Sequence, residues 1–358
     1  MKNIYLEIAD HHSSHSSMVL ATVTGTQGSA PQKPGSSALI GVNGLIAGTV
    51  GGGVVEGQVI KLAGEALSSK QSGHFQFNLG HDISKTEEAI CGGTISVLVD
   101  ANIQNNIALF EQIRQSMIDH IPGVLITMVT RSTETTVLIN RYWMSETDKP
   151  SIPVSFYEKI EPVVLSLISA SDPSDYREME LSIPEEEPSS TFFLEPVFPA
   201  PQLVIAGAGH IGRALAHLGK MVGFEVTVID DRPEYANFEN IPDATHITVM
   251  DIGKAMRELK KGKETFAVIV TRGHKDDAEA LKPCIGSDLA YTGMIGSKKK
   301  IAVLRNSSIE NGWATAKQWD EIFAPVGIDI KSQTVEEIAV SIVAQLILVR
   351  NSKKTKER

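Results

Sequence analysis

The sequence predicts an α/β protein in two parts: a mixed α+β domain rich in hairpins at residues 1–199, and a doubly wound parallel sheet at residues 200–358. The first observation behind this is a change of pattern near Pro199 to Pro201. Beyond it, QLVIA, EVTVI, ITVM, FAVIV and AYTGMI are short, apolar and almost unbroken, as parallel strands covered on both faces are. The second is the helical spacing between them, such as Ile211, Leu215, Leu218 and Val222, which right-handed crossovers fold onto such a sheet. The third is length, because 358 residues exceed one ordinary core.

The N-terminal part opens with the strand MVLATVT, Met18 to Thr24. Ten of the 29 glycines fall between Gly25 and Gly57, so the stretch is dominated by turns. SALIGV and LIAGTV pair across Asn43-Gly44, a dipeptide suited to a tight hairpin turn. Gly51, Gly52 and Gly53 lead into helical VVEGQVIKLAGEALSS. After the strand GGTISVLVD, Ile103, Ile107, Phe110, Ile113 and Met117 mark one face of a helix. Two hairpins follow: GVLITMVT with TVLINRYW, and YREMELSI with FFLEPVF across PEEEPSS, read as an exposed turn. His11-His12-Ser-Ser-His15 invites a metal-site reading, but its place before the first strand marks a solvated loop.

In the C-terminal part, Gly207-Ala-Gly209-His-Ile-Gly212 follows a strand and opens a helix, the context that makes GxGxxG informative and the domain Rossmann-like. Gly207 permits a tight turn, Gly209 lets backbone approach a pyrophosphate, and Gly212 lets helix and strand pack closely. Free N–H groups at the helix start then face the anion. Asp230, ending the next strand, can accept ribose hydroxyls, and Arg232 can accommodate a 2′-phosphate. Thr271-Arg272-Gly273-His274 and Gly296-Ser297-Lys298 end two further strands, so Arg272 and Lys298 join Gly207 at the ligand-binding edge of such sheets. Lys298, Lys299 and Lys300 fall in a first helical turn, against the helix dipole; they are either solvated or a seat for an anion. His274, beside Asp276 and Asp277, reads as a loop residue capping a helix, with an acid/base group or metal ligand as the alternative. Thr334-Val-Glu-Glu337 is a capping box.

Composition narrows the function. A net charge of −10 without a basic stripe argues against a nucleic-acid partner. No apolar run approaches the roughly 20 residues of a membrane span, and MKNIYLEIADHHSSHSS lacks the apolar core of a secretory signal. A cytoplasmic location is therefore expected. Cys91 and Cys284 alone suggest a reducing compartment rather than a disulfide framework.

The stretches Gly25-Thr-Gln-Gly28-Ser29-Ala-Pro31, Pro34-Gly35-Ser36, Gly48-Thr-Val-Gly51-Gly52-Gly53-Val-Val-Glu56 and Cys91-Gly92-Gly93 are foreign to a dehydrogenase. With GAGHIG, VIDDRP, TRGHKDD, YTGMIGSKKK and PVGIDIKSQTVEEIAVSI they resemble, in order, the XdhC/CoxI family of xanthine dehydrogenase accessory proteins. The resemblance implies a chaperone for molybdenum cofactor. Such a protein binds the cofactor, protects it while a partner cysteine desulfurase installs its sulfido ligand, and delivers it to an apo xanthine dehydrogenase-type enzyme. It also implies self-association, with a dimer unsurprising. The ligand is a phosphate-bearing pterin, sometimes extended to a dinucleotide.

Under this reading the cofactor lies between the two domains. Gly207, Gly209, Gly212, Asp230, Arg272 and Lys298 hold phosphate and nucleotide; Gly51, Gly52, Gly53 and Glu56, with Ser36, meet the pterin. The alternative for the glycine run is a tight turn, with Glu56 an early helical carboxylate favoured by the dipole. Cys91 is either a molybdenum ligand or persulfide carrier, or a small buried hydrophobe; Cys284 reads as packing. Many relatives carry a cysteine where this chain has Val54 and others lack it, as here; sulfur chemistry then falls to Cys91 alone or belongs wholly to a partner. Two other functions stay open. One is an NAD(P)-dependent oxidoreductase, for which His274 is the sole proton-donor candidate, and the other is a nucleotide sensor regulating a partner.

Overall fold

A computed structural model describes residues 4–12, 17–79, 93–133, 136–170, 175–183 and 186–352. The chain forms two units, Lys2–Pro199 and Ala200–Arg358.

The first unit carries, in order, α1 (Ile4–His12), β1 (Met18–Gly28), β2 (Ser37–Gly41), β3 (Gly44–Gly48), α2 (Gly53–Ser69), β4 (Gly73–Asn78), β5 (Gly93–Asp100), α3 (Ile107–Ile118), β6 (Gly123–Arg131), β7 (Val137–Ser145), α4 (Val154–Ala170), β8 (Arg177–Ile183) and β9 (Glu186–Val197). One antiparallel sheet has the order β3-β2-β1-β5-β4, the other β7-β6-β9-β8. The Asn43-Gly44 hairpin forms, with Gly41 opposite Gly44 and φ of +105° at Gly44. Such a φ is open to glycine and strained for other residues. Alternation in β1 sends Val19, Ala21 and Val23 to the core under α2, and Met18 and Leu20 to a second core with α1 and α3.

Three elements differ from the sequence reading. PEEEPSS is mainly strand, since β9 starts at Glu186. Its long pairing with β6, from Thr130–Ser190 to Gly123–Val197, carries the strand back toward the turn. His11 and His12 end a helix, because Tyr5, Ile8 and Ala9 are buried against the core and hold α1 in place; residues 13–16 lie outside the described residues. Helix α4 buries Phe156, Ile160, Val164, Leu167 and Ile168 against the second sheet despite Pro162 within it.

The second unit holds β10 (Gln202–Ala206), α5 (His210–Met221), β11 (Glu225–Asp230), β12 (His246–Val249), α6 (Ile252–Glu258), β13 (Thr265–Ile269), α7 (His274–Leu281), β14 (Tyr291–Met294), α8 (Lys298–Glu310), α9 (Ala316–Asp320) and α10 (Val335–Ser352). Its sheet has the order β12-β11-β10-β13-β14 with every pair parallel. The two faces separate by residue parity. Leu203, Ile205, Val226, Val228, Phe266 and Val268 pack toward α5 and α10, while Val204, Ala206, Ile229, Ala267 and Ile269 pack toward α6, α7 and α8. Burial on both faces explains the unbroken apolar strands. The chain reverses its direction of winding between β10 and β13, which opens a crevice at the carboxyl ends of these strands. Thr334 and Glu337 form the expected reciprocal cap, with Glu337 N–H donating to Thr334 Oγ1 at 3.2 Å and Thr334 N–H donating to Glu337 Oε2 at 3.2 Å. No described helix is long and apolar enough to cross a membrane.

Candidate functional site

The three fingerprint glycines sit at this crevice for different reasons. Gly207 leaves β10 with φ of +121°, and a Cβ there would stand 2.5 Å from the Val270 carbonyl oxygen at the end of β13. At Gly212 a Cβ would overlap the carbonyl oxygen of Gly207. Both positions are therefore dictated by packing. Gly209 is not: its φ of −72° suits any residue, and a Cβ would meet nothing within 4 Å. Its missing side chain leaves open space at the start of α5, where no side chain caps the first-turn N–H groups.

Asp230 has a task inside the fold. Oδ2 accepts the Ala208 N–H at 2.7 Å and Arg232 Nη2–H at 2.9 Å, while Oδ1 accepts Arg232 Nε–H at 2.8 Å and its backbone N–H at 3.1 Å. Burial alone would raise its pKa, but these hydrogen bonds from Arg232 and Ala208 outweigh it and hold the carboxyl down to about 2. Asp230 thus fastens the glycine loop to β11 and is only 1% exposed. The same bonds occupy the Arg232 fork, whose Cζ lies 4.0 Å from the centroid of the Tyr235 ring.

The carboxylate on the open side is Asp231, which the sequence reading passed over. Its Oδ2 accepts Arg272 Nη2–H at 3.1 Å, and Arg272 Nε also lies 3.7 Å from Asp276. This ion pair joins the ends of β11 and β13 across the crevice and remains exposed. Strand parity carried no signal for it, because both faces of β11 are buried, Val226 and Val228 on one side and Ile229 on the other.

The lysine run divides similarly. Lys300 reaches back to Asp277, which is fully buried and accepts Thr271 Oγ1–H at 2.5 Å. Lys298 and Lys299 stay exposed at the start of α8, where Ser297 Oγ accepts the Lys300 N–H at 3.2 Å. His274 is the first residue of α7 and Gly273 is its cap, so the backbone corrects the expectation of a capping loop residue. The His274 side chain lies outside the described residues.

In the first unit, Gly51, Gly52 and Gly53 have φ of +137°, +68° and +54°. Pro31 closes on Gly51, where a Cβ would stand 2.8 Å from it, while Gly52 and Gly53 have no neighbour within 4 Å. Glu56 Oε2 accepts Thr49 Oγ1–H at 2.6 Å, and Thr49 Oγ1 accepts the Gly51 N–H at 3.1 Å, so Glu56 braces the loop from within. Ser36 Oγ–H donates to Gln32 at 3.1 Å. Cys91 lies outside the described residues. Among those described, no group of three or more His, Cys, Asp or Glu is gathered for a metal ion. Cys284 is buried in the core beside α7, and burial pushes its thiol up to about 12, so it is packing.

These features define a Rossmann-type α/β protein with an open glycine loop at its switch point and a second, glycine-rich unit before it. Comparison with known proteins places it further. The XdhC and CoxI family model matches residues 11–78, and the XdhC Rossmann domain model matches residues 203–346. A Bacillus subtilis (strain 168) protein described as a probable xanthine dehydrogenase subunit is 26% identical over 338 residues, 93% of each chain. The uncharacterized protein YqeB of Escherichia coli (strain K12) is 33% identical over 153 residues, 42% of this chain and 28% of that one. A crystal structure described as a xanthine dehydrogenase from Bacillus halodurans aligns over 97% of this chain and 96% of the other, with TM-score 0.76 and 25% identity. The chain belongs to the XdhC and CoxI family.

Proposed function

We propose that this chain is an accessory protein that binds molybdenum cofactor and supports its sulfuration and insertion into a xanthine dehydrogenase-type enzyme. Its partners are then that apo-enzyme and a cysteine desulfurase, and it acts as a homo-oligomer. Family membership and two relatives described as xanthine dehydrogenase proteins support the role. The observation that carries the binding part is Gly209: a glycine that neither backbone angle nor packing requires, beside uncapped N–H groups. Such a cradle fits a phosphate.

In this reading the first-turn N–H groups of α5 hold the phosphate, and Arg272 and Lys298 add positive charge at the same sheet edge. The open Gly52 and Gly53 present backbone to a flat heterocycle in the first unit. When bound, the cofactor supplies the molybdenum centre that the recipient enzyme uses. The chain's own residues bind and orient it; Asp230 and Glu56 act by fixing the two loops.

The test is an anaerobic titration with unextended molybdenum cofactor. Binding at a defined stoichiometry, lost in Gly209→Val while the variant stays folded, supports the proposal. No affinity in the folded wild type, or unchanged affinity in Gly209→Val, overturns it or removes this loop from it. The exposed Asp231 favours a second reading, in which a nicotinamide dinucleotide places its ribose there. A flat calorimetric titration with NAD and NADP excludes that one.

A further inference from the structure

A polar cluster inside the first unit has no part in the loops above. Arg141 on β7 and Asp100 on β5 form a buried ion pair, both side chains 2% exposed. Asp100 Oδ1 also accepts Ser72 Oγ–H at 3.2 Å and the Asn102 N–H at 2.8 Å, so the carboxylate is fully engaged. Arg141 is not. Its Nε–H is buried and has no hydrogen-bond partner among the described residues. Such an orphaned donor gives up its solvation with nothing in return unless something accepts it.

Arg141 lines a small cavity that Glu195 of β9, Tyr5 of α1 and Tyr176 also line. Tyr5 O–H donates to the Glu195 carboxyl group. The free space is about 10 Å³, against the roughly 10–15 Å³ that one water molecule needs. A donor count shows what is missing. Tyr5 O–H is taken by Glu195, Arg141 Nε–H has no acceptor, and the cavity lining offers as acceptors that one carboxyl group and uncharged hydroxyls.

We propose that this cavity is a built site for one water molecule, which accepts the Arg141 Nε–H and is shared with the Glu195 carboxyl group. Water offers two lone pairs and two protons, so it serves both protonation states. With Glu195 protonated it accepts from the acid; with Glu195 ionised it donates to the carboxylate. The result is a continuous polar chain, Asp100–Arg141–water–Glu195–Tyr5, running from β5 to α1. Burial lifts Glu195 to about 7, against the Tyr5 hydrogen bond and the Arg141 charge that lower it. The charged or titratable groups facing it are Tyr5, Arg141 and Tyr176, with Asp100 behind Arg141 and Glu178 beside Tyr176.

The experiment is a crystal structure of the full chain at a resolution that shows ordered water, with Glu195→Leu solved alongside. The expected wild-type result is one water within about 3 Å of both Arg141 Nε and a Glu195 oxygen. That water should be lost in Glu195→Leu, whose side chain removes the acceptor. A direct Arg141–Glu195 contact, or a cavity without water density, overturns the proposal. Should Glu195→Leu fail to fold, the isosteric Glu195→Gln is the substitute. Retained water there upholds the site, and an unoccupied cavity overturns it.

Discussion

The Asp230 carboxylate accepts the Ala208 N–H at 2.7 Å, tying the middle of the glycine loop to the end of the neighbouring strand. A residue expected at the ligand is therefore part of what shapes the ligand's seat. Asp230→Ala should destabilise the second unit by roughly 1–3 kcal/mol, because the Ala208 N–H and the Arg232 guanidinium lose their acceptor. Denaturant unfolding of the full chain checks this, and an unchanged midpoint contradicts it.

The same carboxyl sets an acid limit. Its folded pKa is depressed from 3.8 to about 2, so its contribution is present above pH 3.8 and is lost as pH falls through 2. About 2 kcal/mol is at stake over that window. Asp230→Asn should lack this acid-dependent loss. Hydrogen exchange in β10 and β11, followed against pH, reads it directly.

The fingerprint glycines should respond oppositely to substitution. Gly212→Ala places a methyl group on the Gly207 carbonyl oxygen and should lower stability by several kcal/mol, whatever the ligand. Gly209→Val should leave the melting temperature within about 2 °C of wild type, since φ is ordinary and the space is open. It should abolish cofactor binding. Loss of stability in Gly209→Val would assign that glycine to the fold as well.

Lys298 and Lys300 should separate in the same way. Lys300→Met strands the buried Asp277 and should cost about 3–5 kcal/mol. Lys298→Met removes an exposed charge and should change stability by less than about 0.5 kcal/mol, while weakening anion binding in a salt-dependent manner. Thermal unfolding and titration at two ionic strengths distinguish the pair.

The first unit carries two opposed titrations. Burial, aided by the Arg131 charge, pushes His74 down to about 4, while Glu195 is lifted to about 7. The His74 contribution is present above 6.5 and lost as pH falls through 4. The Glu195 contribution is present below 4.5 and lost as pH rises through 7. Between pH 4.5 and 6.5 the two slopes offset. Glu195→Gln should expose the His74 slope alone, with hydrogen-exchange stability of β6 and β9 rising from pH 4 to 6.5 and flat above. An unchanged profile contradicts the assignment of Glu195.

How far the sequence was legible depended on where each signal resides. The strands β10, β11 and β13 could be read because burial on both faces makes their central residues almost all apolar. The Asn43-Gly44 turn was legible because its φ restricts the residue choice. Helix α4 was not: Pro162 argues against a helix locally, and only packing of Phe156, Ile160 and Val164 on the second sheet overrules it. Helix α1 is too short to persist on propensity and exists through Tyr5 and Ile8, with Tyr5 stacked 5.8 Å from Phe110 of α3. At the site, spacing located Gly207, Gly209 and Gly212. It could not tell that Asp230 turns inward and Asp231 outward, since that follows from strand register and from the Arg232 fork closing back two residues. Nor could it join Lys300 to Asp277, which are brought together by α7 and α8.

The most direct test of the central claim is pterin content. The protein is purified anaerobically from a host that makes molybdenum cofactor, oxidised, and the fluorescent pterin is counted per folded chain. The account predicts a substantial bound fraction that disappears in Gly209→Val. A blank wild-type preparation, shown to be folded and taken from a host whose own molybdenum enzymes are active, would contradict it.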